Sequence, residues 1–219
     1  MFTKILLVLL SAYLIGAIPV GYLIVRIFKG IDVRSIGSGR VGTTNTVRAA
    51  GPIAGILTGL LDGGKGILVA YLAHLLIPSS IWVKVTAVIL AVVGQIFSTF
   101  LIEKTKLGTF KFHGGAGGAT TLGGAIALAP VSLIIILPLV LIVYLGIGYA
   151  SLTTISIAFF SLVIFGYNAA MGMGPWEYLT YGVVTLMIVI YALRPNLERL
   201  KNGDRKSTRL NSSHGKLTR

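Results

Sequence analysis

The sequence contains no cysteine among its 219 residues, and only six of those residues are acidic. The first absence excludes disulfide bonds, thiolate nucleophiles and sulfur-ligated metals. Six dispersed carboxylates are too few for a dedicated metal site, so no metal is expected. We expect no cofactor of any other kind. The sequence also lacks a Gly-Lys-Ser/Thr phosphate loop, a G-x-S-x-G nucleophile motif and a histidine followed by aspartate at the fifth position. A covalent acyl-enzyme intermediate is therefore not expected.

Charge of either sign is scarce in comparison with apolar residues. Charged residues make up 11% of the chain and hydrophobic residues 55%, with a mean hydropathy of +0.90. An average soluble domain is roughly 25% charged, and a disordered chain is less hydrophobic than this one. We therefore expect an all-α integral membrane protein, with one domain over residues 1–203, membrane lipid around it and no nucleic-acid partner.

The C-terminal tail is treated separately from the rest of the chain. Its segment Asp204–His214 reads DRKSTRLNSSH and is similar to the in-frame translation of a sequencing-library adapter. We expect residues 204–219 to be adapter-derived or a disordered tail, and we exclude them from the analysis of the fold. The tail holds five Lys and Arg and one Asp, so residues 1–203 keep a formal charge of +9 of the total +13.

Apolar segments long enough to cross a membrane occur throughout the chain. A spanning helix needs about 20 largely apolar residues. The clear candidates are Ile5–Ile27, Ile53–Ile77, Ile81–Ile102, Leu152–Ala170 and Trp176–Leu193. The uncharged stretch Gly117–Ala150 is divided by Pro130, which predicts two further segments, about Gly118–Ala129 and Val131–Gly148.

The distribution of basic residues predicts how these segments are threaded. Lysine and arginine concentrate in the first loop, in the third loop and after the last segment. The positive-inside rule places these three basic regions in the cytoplasm. The Gly117–Ala150 region must then cross an even number of times. We expect about seven transmembrane segments, one of them short or re-entrant, with the N-terminus outside and the C-terminus cytoplasmic.

Small residues recur every four positions in the second segment, at Gly51, Gly55, Gly59 and Gly63. This spacing places them on one face of a helix, where another helix can approach closely. We therefore expect this face to be packed against protein rather than lipid.

The first basic loop has the composition of an anion-binding site. Between residues 37 and 48 it combines glycines, hydroxyl and amide side chains, and two arginines; the candidate binding residues are Gly37, Ser38, Gly39, Arg40, Gly42, Thr44, Asn45 and Arg48. Glycine permits the backbone turns that direct several N–H groups at one phosphate oxygen. The alternative is a flexible polar connector between two helices.

Two further polar segments belong to the same predicted face. Asp62 and Lys65 are helical i, i+3 neighbours that can neutralise each other, and ionisable residues inside a membrane segment are functional candidates. For this pair the alternatives are a structural ion pair and, for Lys65, substrate contact. The third segment is a glycine-rich turn that enters a helix N-terminus, a typical anion site; its candidates are Lys111, Gly114, Gly115, Gly117 and Thr120. The alternative interpretation of this third segment is a flexible hinge between two helices.

These segments together resemble the bacterial acyl-phosphate:glycerol-3-phosphate acyltransferase family (PlsY type). Its motifs are G-S-G-N-x-G-A-T-N-x-x-R, D-x-x-K-G, F-K-G-G-K-G-x-A-T and R-H-R-x-N-I-x-R-L-x-x-G. The matching residues are Gly37, Ser38, Gly39, Gly42, Thr44, Asn45, Arg48, Asp62, Lys65, Gly66, Gly114, Gly115, Gly117, Ala119, Thr120, Arg194, Asn196, Arg199, Leu200 and Gly203. The likeness covers nearly all of residues 1–203 in order and spacing.

The resemblance implies a specific reaction and location. Members transfer a fatty acyl group from acyl phosphate to the 1-hydroxyl of glycerol 3-phosphate, which gives lysophosphatidic acid for phospholipid synthesis, in the bacterial inner membrane with the active site facing the cytoplasm. The resemblance implies catalytic roles for Ser38, Arg48 and Lys65, and substrate or phosphate binding by the other loop candidates together with Arg194 and Asn196.

Three motif positions depart from the family pattern. The family asparagine is Arg40, the lysine of G-G-K-G is Ala116, and the C-terminal histidine is Leu193. In addition, Gln95 follows Gly94 where a histidine is usual, and Phe112 and His113 are inserted before the glycines. We hypothesise that Arg40 replaces the charge lost at position 116, since a phosphoryl group favours a cation there.

Two other functions fit the same residues. A small transporter or binding protein for an anionic metabolite could use the basic loops without chemistry, although a transport pathway would place ionisable groups at mid-membrane depth on several helices. A non-catalytic family member could bind lipid phosphates without turnover. The sequence leaves the acyl-chain preference and the oligomeric state open.

Overall fold

The computed structural model describes residues 1–105 and 108–202, which form nine α-helices and one β-hairpin. The helices are α1 (Phe2–Ala17), α2 (Val20–Lys29), α3 (Thr43–Ala50), α4 (Pro52–Leu76), α5 (Ile81–Ile96), α6 (Gly118–Leu128), α7 (Ser132–Ile147), α8 (Ala150–Ala170) and α9 (Glu177–Lys201). The strands are β1 (Ser98–Lys104) and β2 (Phe110–His113). The predicted tail, residues 204–219, lies outside the described residues.

The fold is that of a helical membrane protein. Four stretches are long and apolar enough to cross a membrane, and they are Phe2–Lys29, α4, α8 and α9. The helices α5, α6 and α7 are apolar but shorter. Large apolar side chains such as Leu6, Ile53, Ile134 and Ile142 are exposed on the outside of the bundle, where lipid can cover them. The predicted helical membrane class is confirmed, whereas the number of seven crossings stays a prediction.

The first apolar stretch, predicted as the single segment Ile5–Ile27, is interrupted. Helix α1 ends at Ala17 and α2 starts at Val20, with Ile18 and Pro19 between them. Proline has no N–H to donate and its ring collides with the preceding turn. The break therefore leaves main-chain carbonyl groups near the end of α1 without helical partners.

The third predicted segment, Ile81–Ile102, is shorter than expected. Helix α5 ends at Ile96, and the residues after it form β1, which pairs antiparallel with β2. Ser98 fixes the change of direction, because its hydroxyl donates a 2.5 Å hydrogen bond to the carbonyl oxygen of Ala17. The segment from Ser98 to Ile102 is rich in β-branched and aromatic residues, which favour a strand when a partner is available.

The later helices follow the predicted boundaries more closely. Helices α6 and α7 match the two segments predicted on either side of Pro130, and α8 begins two residues before Leu152. Helix α9 continues to Lys201, well beyond the predicted end at Leu193, with Pro195 inside it. The extra turns bring Asn196 to the same end of the bundle as the first loop.

Three of the four predicted glycines, Gly55, Gly59 and Gly63, form a glycine stripe on α4 that is packed against protein, whereas a Cβ atom at Gly51, just before the helix, would meet no described atom within 4 Å. A side chain at Gly59 would contact Thr43, and a side chain at Gly55 would collide with Val47, so the short helix α3 lies along this face. Gly63, one turn further, faces the carbonyl oxygen of Ala119 in α6. The stripe therefore positions both α3 and α6 against α4.

Helices α4 and α6 cross with their backbones in contact. A Cβ atom at Gly66 would lie 2.6 Å from the carbonyl oxygen of Thr120, and one at Gly123 would collide with the carbonyl oxygen of Gly63. The outer side of α6 is held by Tyr181, which is fully buried and donates a 2.6 Å hydrogen bond to the carbonyl oxygen of Thr121. Glycine is required at this crossing because no other residue leaves room for the second backbone.

We predict that Gly123→Ala lowers the stability of the protein by about 1–3 kcal/mol, because the added methyl group forces α4 and α6 apart. The measurement is thermal unfolding in detergent. Gly146→Ala in α7 is the matched control, since a Cβ atom there would have no neighbour within 4 Å in the part of the chain that the structure describes. Equal melting temperatures for the two variants would contradict the prediction.

Candidate active site

A cavity of about 430 Å³ lies between the first loop, α3, α4, α6, α8 and α9. Nine of the predicted site residues line it: Ser38, Arg40, Gly42, Thr44, Asn45, Arg48, Gly117, Thr120 and Asn196. They come from three motifs that are far apart in the sequence. The volume is in the ordinary range for a site that binds a small molecule.

Asn45 determines the shape of the first loop. Its side chain is buried, and its amide nitrogen lies 3.0, 2.9 and 2.8 Å from the carbonyl oxygens of Val33, Ile36 and Arg40. Its amide oxygen accepts a 3.3 Å hydrogen bond from the main-chain N–H of Ser38. Asn45 thus satisfies backbone groups of the short 3₁₀ turn Val33–Ser35 and of the irregular residues that follow it, and Ser38 and Arg40 are directed into the cavity as a result.

Glycines in this loop permit backbone angles that other residues avoid. Gly37 and Gly39 have φ values of +50° and +70°, and a Cβ atom at Gly37 would lie 2.6 Å from the side-chain oxygen of Asn45. These two glycines do not line the cavity. Their contribution is to allow the backbone to turn, because glycine adopts positive φ values without steric strain.

Arg40 joins three motifs in one place. Its guanidinium group donates to the side-chain oxygen of Asn196 at 3.4 Å, to the carbonyl oxygen of Gly115 at 3.3 Å and to the carbonyl oxygen of Ala192. Burial lowers the pKa of Arg40, and the charge of Arg199 acts in the same direction. Arginine nevertheless stays protonated in proteins, so the group brings a fixed positive charge to the cavity.

Arg48 provides the second cation, from the last turn of α3. Burial lowers the pKa of this guanidinium as well, but it too remains charged. The N-terminal turns of α3 and α6 border the same cavity through Thr43, Thr44, Gly118 and Ala119. N–H groups at helix N-termini and two guanidinium groups all favour a negatively charged ligand.

The glycine-rich turn before α6 is pressed against the end of α5. The N–H of Gly115 donates a 2.8 Å hydrogen bond to the carbonyl oxygen of Gln95, and a side chain at Gly114 would collide with the carbonyl group of Ile96. Gly117 has a φ of +83° and is the N-cap residue immediately before α6. Gly114 and Gly115 do not line the cavity; they hold the part of the turn that does.

Lys65 does not line the cavity, and its ammonium group is occupied by protein. Its Nζ atom lies 2.7 Å from Oδ1 of Asp62 and 2.6 Å from the side-chain oxygen of Gln95. It also donates to the carbonyl oxygens of Gly16 and Ile18, at 3.3 and 2.5 Å, where the first stretch is broken. The structural ion pair is therefore the alternative that the contacts favour for Lys65.

Gln95 links this ion pair to the cavity. Its amide nitrogen donates a 2.9 Å hydrogen bond to Oδ2 of Asp62, and its oxygen accepts from Lys65. The two opposite charges fix the orientation of the amide, because only the nitrogen can donate and only the oxygen can accept. Asp62 and Gln95 line the cavity while Lys65 lies behind them.

Two other predicted residues lie apart from the cavity lining. Lys111 is exposed on β2, opposite Glu103 in the hairpin. The guanidinium group of Arg194 is 4.8 Å from the ring centre of Tyr191. Neither contact brings the charge into the cavity, so binding roles for these two residues are not supported by their positions.

The other side of the cavity is lined by residues that the sequence motifs do not indicate. Ser151, Thr153 and Thr154, in the first turn of α8, and Tyr144 in α7 all line it. Thr153 and Thr154 donate to carbonyl oxygens one turn earlier, both at 3.0 Å. The cluster of hydroxyl residues at the start of an apolar helix was the signal that could have revealed this side.

Comparison with known proteins identifies the group to which this structure belongs. The family model described as glycerol-3-phosphate acyltransferase matches residues 6–203. Glycerol-3-phosphate acyltransferase 2 of Moorella thermoacetica is 38% identical over 200 residues, which cover 90% of this chain and 94% of that protein. Glycerol-3-phosphate acyltransferase of Thermotoga petrophila is 37% identical, covering 90% and 93% of the two chains.

A solved structure gives the same result. The crystal structure of PlsY, an integral membrane glycerol 3-phosphate acyltransferase, in its glycerol 3-phosphate form is similar with a TM-score of 0.78 and 31% identity, covering 91% of this chain and 92% of that one. The fold and cavity define a helical integral membrane protein with a basic, glycine-bordered pocket. The chain belongs to the glycerol-3-phosphate acyltransferase family, and the predicted resemblance is confirmed.

We predict that Lys65→Met destabilises the protein by about 3–5 kcal/mol, because it leaves the buried carboxylate of Asp62 without its cation. The measurement is thermal unfolding in detergent, with the exposed Lys4→Met as the control. The double variant Asp62→Leu with Lys65→Met removes both charges and is expected to recover part of the loss. A single variant as stable as the control would show that the ion pair is dispensable.

Proposed function

We propose that the protein transfers a fatty acyl group from acyl phosphate to the 1-hydroxyl of glycerol 3-phosphate, releasing lysophosphatidic acid and inorganic phosphate. The observation that carries this proposal is the convergence of three sequence motifs on one cavity through the contacts of Arg40 with Asn196 and Gly115. Arg48 gives the cavity a second cation, which suits a site that must hold two phosphorylated molecules together.

The transfer proceeds directly from donor to acceptor. The hydroxyl oxygen of glycerol 3-phosphate attacks the carbonyl carbon of the acyl phosphate, and the bond between that carbon and the bridging phosphate oxygen breaks. The hydroxyl proton passes to a phosphate oxygen, so no protein nucleophile and no cofactor is needed. Acyl phosphate is already activated, and the protein contributes orientation and charge stabilisation.

The proposed roles follow from the positions of the lining residues. Ser38 and Arg48 contact the reacting molecules, and N–H groups of the Gly117–Thr120 turn together with Thr44 and Asn196 bind phosphate oxygens. Lys65 acts through Asp62 and Gln95 as a positioning residue. The apolar lining residues Ile56, Leu60, Leu122 and Ile157 suit the fatty chain of the donor.

We place the protein in the bacterial inner membrane with seven crossings, an outer N-terminus and the cavity facing the cytoplasm. The positive-inside rule supports this orientation, because Arg40 and Arg48 lie at the same end of the bundle as Arg199. Transport of an anionic metabolite is less well supported. Asp62 and Lys65, the ionisable pair within α4, are bonded to each other and to Gln95 rather than arranged along a path.

We predict that the purified protein forms lysophosphatidic acid and inorganic phosphate from acyl phosphate and glycerol 3-phosphate. Acyl-CoA in place of acyl phosphate is expected to give no product. The assay measures both products in detergent or in vesicles. Lysophosphatidic acid formed from acyl-CoA would contradict the proposal that acyl phosphate is the donor. Binding of glycerol 3-phosphate without turnover would indicate a non-catalytic member of the family.

We also predict that Arg40→Asn lowers kcat/KM by about 10- to 100-fold, the range expected for loss of a hydrogen bond to a charged group. Restoring a lysine with Ala116→Lys in the same chain should recover most of this loss, because both positions line the cavity. Arg26→Gln, at an exposed arginine of α2, is the control. Unchanged turnover in Arg40→Asn would refute the hypothesis that Arg40 replaces the positive charge missing at position 116.

A further inference from the structure

A second cavity of about 400 Å³ adjoins the first and has no assigned role. Its lining residues are Lys29, Thr43, Thr44, Val47, Arg48, Ala49, Ala50, Gly51 and Tyr144. Thr43, Thr44, Arg48 and Tyr144 line both cavities, so these four residues form the boundary between them. The other five line the second cavity alone, which makes it a separate space beside the site of the proposed reaction.

The charge of the second cavity has one sign. Among the residues that the structure describes, its lining contains two that are basic, Lys29 and Arg48, and none that is acidic. Lys29 is the last residue of α2 and is exposed, whereas Arg48 is half-buried between the two cavities. An exposed ammonium group followed by a partly buried guanidinium group attracts an anion first from solution and then into the protein.

The apolar side chains that line the two cavities differ in size, and this difference indicates which substrate each cavity suits. Long apolar residues, among them Ile56, Leu60 and Leu122, line the first cavity. The apolar lining of the second cavity consists of the short side chains of Ala49 and Ala50 together with Val47 and the ring of Tyr144, and Tyr144 is shared with the first cavity. A fatty chain therefore has more apolar surface to contact in the first cavity, and the second suits a small, water-soluble phosphate ester.

We propose that the second cavity is an entry subsite for glycerol 3-phosphate, where Lys29 and Arg48 bind its phosphate before the molecule moves past Arg48 into the reaction site. This inference rests on the proposed function, because it takes glycerol 3-phosphate as the substrate. Arg48 lies at the boundary and contacts the phosphate on both sides. Lys29 contributes to capture and is absent from the lining of the first cavity.

The entry subsite has a distinctive kinetic consequence. Loss of Lys29 slows capture of glycerol 3-phosphate but leaves the chemical step and the acyl donor unaffected. Its exposed charge acts through water, where salt screens interactions beyond about 10 Å at 0.1 M ionic strength. The effect of the substitution must therefore diminish as salt is added.

The experiment compares Lys29→Gln and Lys29→Glu with the matched variants Lys104→Gln and Lys104→Glu. Lys104 is an exposed lysine on β1 that lines neither cavity. At low salt we expect kcat/KM for glycerol 3-phosphate to fall about 3- to 10-fold in Lys29→Gln and further in Lys29→Glu. The expected values of kcat and of KM for acyl phosphate are those of the unmodified protein.

Calorimetric titration of the detergent-solubilised protein with glycerol 3-phosphate alone provides a measurement that needs no turnover. Weaker binding in the Lys29 variants, with unchanged binding in the Lys104 variants, supports the subsite. Equal effects at positions 29 and 104, or a parallel loss of kcat and of both KM values, would overturn it. If the unmodified protein binds glycerol 3-phosphate without turnover, the proposed reaction fails, and the titration still decides the role of Lys29.

Discussion

The buried ammonium group of Lys65 is the interaction on which the rest of the structure depends. It is surrounded by the carboxylate of Asp62, the amide of Gln95 and two carbonyl groups at the end of α1. A cation in this position needs all of these oxygens, since a buried charge without partners is strongly destabilising. One side chain thereby fixes the relative positions of α1, α4 and α5. Through Gln95 it also fixes the glycine-rich turn against the end of α5.

A second level of organisation rests on glycine. Close packing of α3 and α6 against α4 is possible because Gly55, Gly59 and Gly66 carry no side chain where these elements touch. The N-termini of α3 and α6 consequently border one cavity, at a distance that bulkier residues would not allow. Arg40 then connects the first loop, the glycine-rich turn and α9 across that cavity. The close contact of these backbones thus determines where the guanidinium groups of Arg40 and Arg48 enter the cavity.

Several features were predictable from the sequence because they depend on local spacing. The neutralising pair Asp62 and Lys65 follows from their i, i+3 separation, and the division of α6 from α7 follows from Pro130. Other features depend on distant partners. Lys65 was a candidate for substrate contact, and only the position of the break at Pro19 reveals that carbonyl groups occupy it. The prediction of a membrane segment that continues to Ile102 is wrong for β1. Its apolar residues are compatible with a helix or a strand, and only the pairing with β2 selects the strand. Ser151 lies within an apolar stretch, and its place in the cavity lining depends on residues of the first loop and α3 that are distant in the sequence.

The position of Asp62 in the lining has a consequence for how the substrates meet. At 1.5 Å per residue, this side chain lies roughly 15 Å along α4 from Pro52, which is about half the thickness of a bilayer's hydrocarbon core. If α4 enters the bilayer at Pro52, the part of the cavity that Asp62 lines would lie below the level of the lipid head groups. A fatty donor that arrives sideways from the bilayer would keep its chain out of water, avoiding a cost of about 0.8 kcal/mol for each methylene group. Only the small polar acceptor would have to leave the aqueous phase, and the two molecules would come together by perpendicular routes.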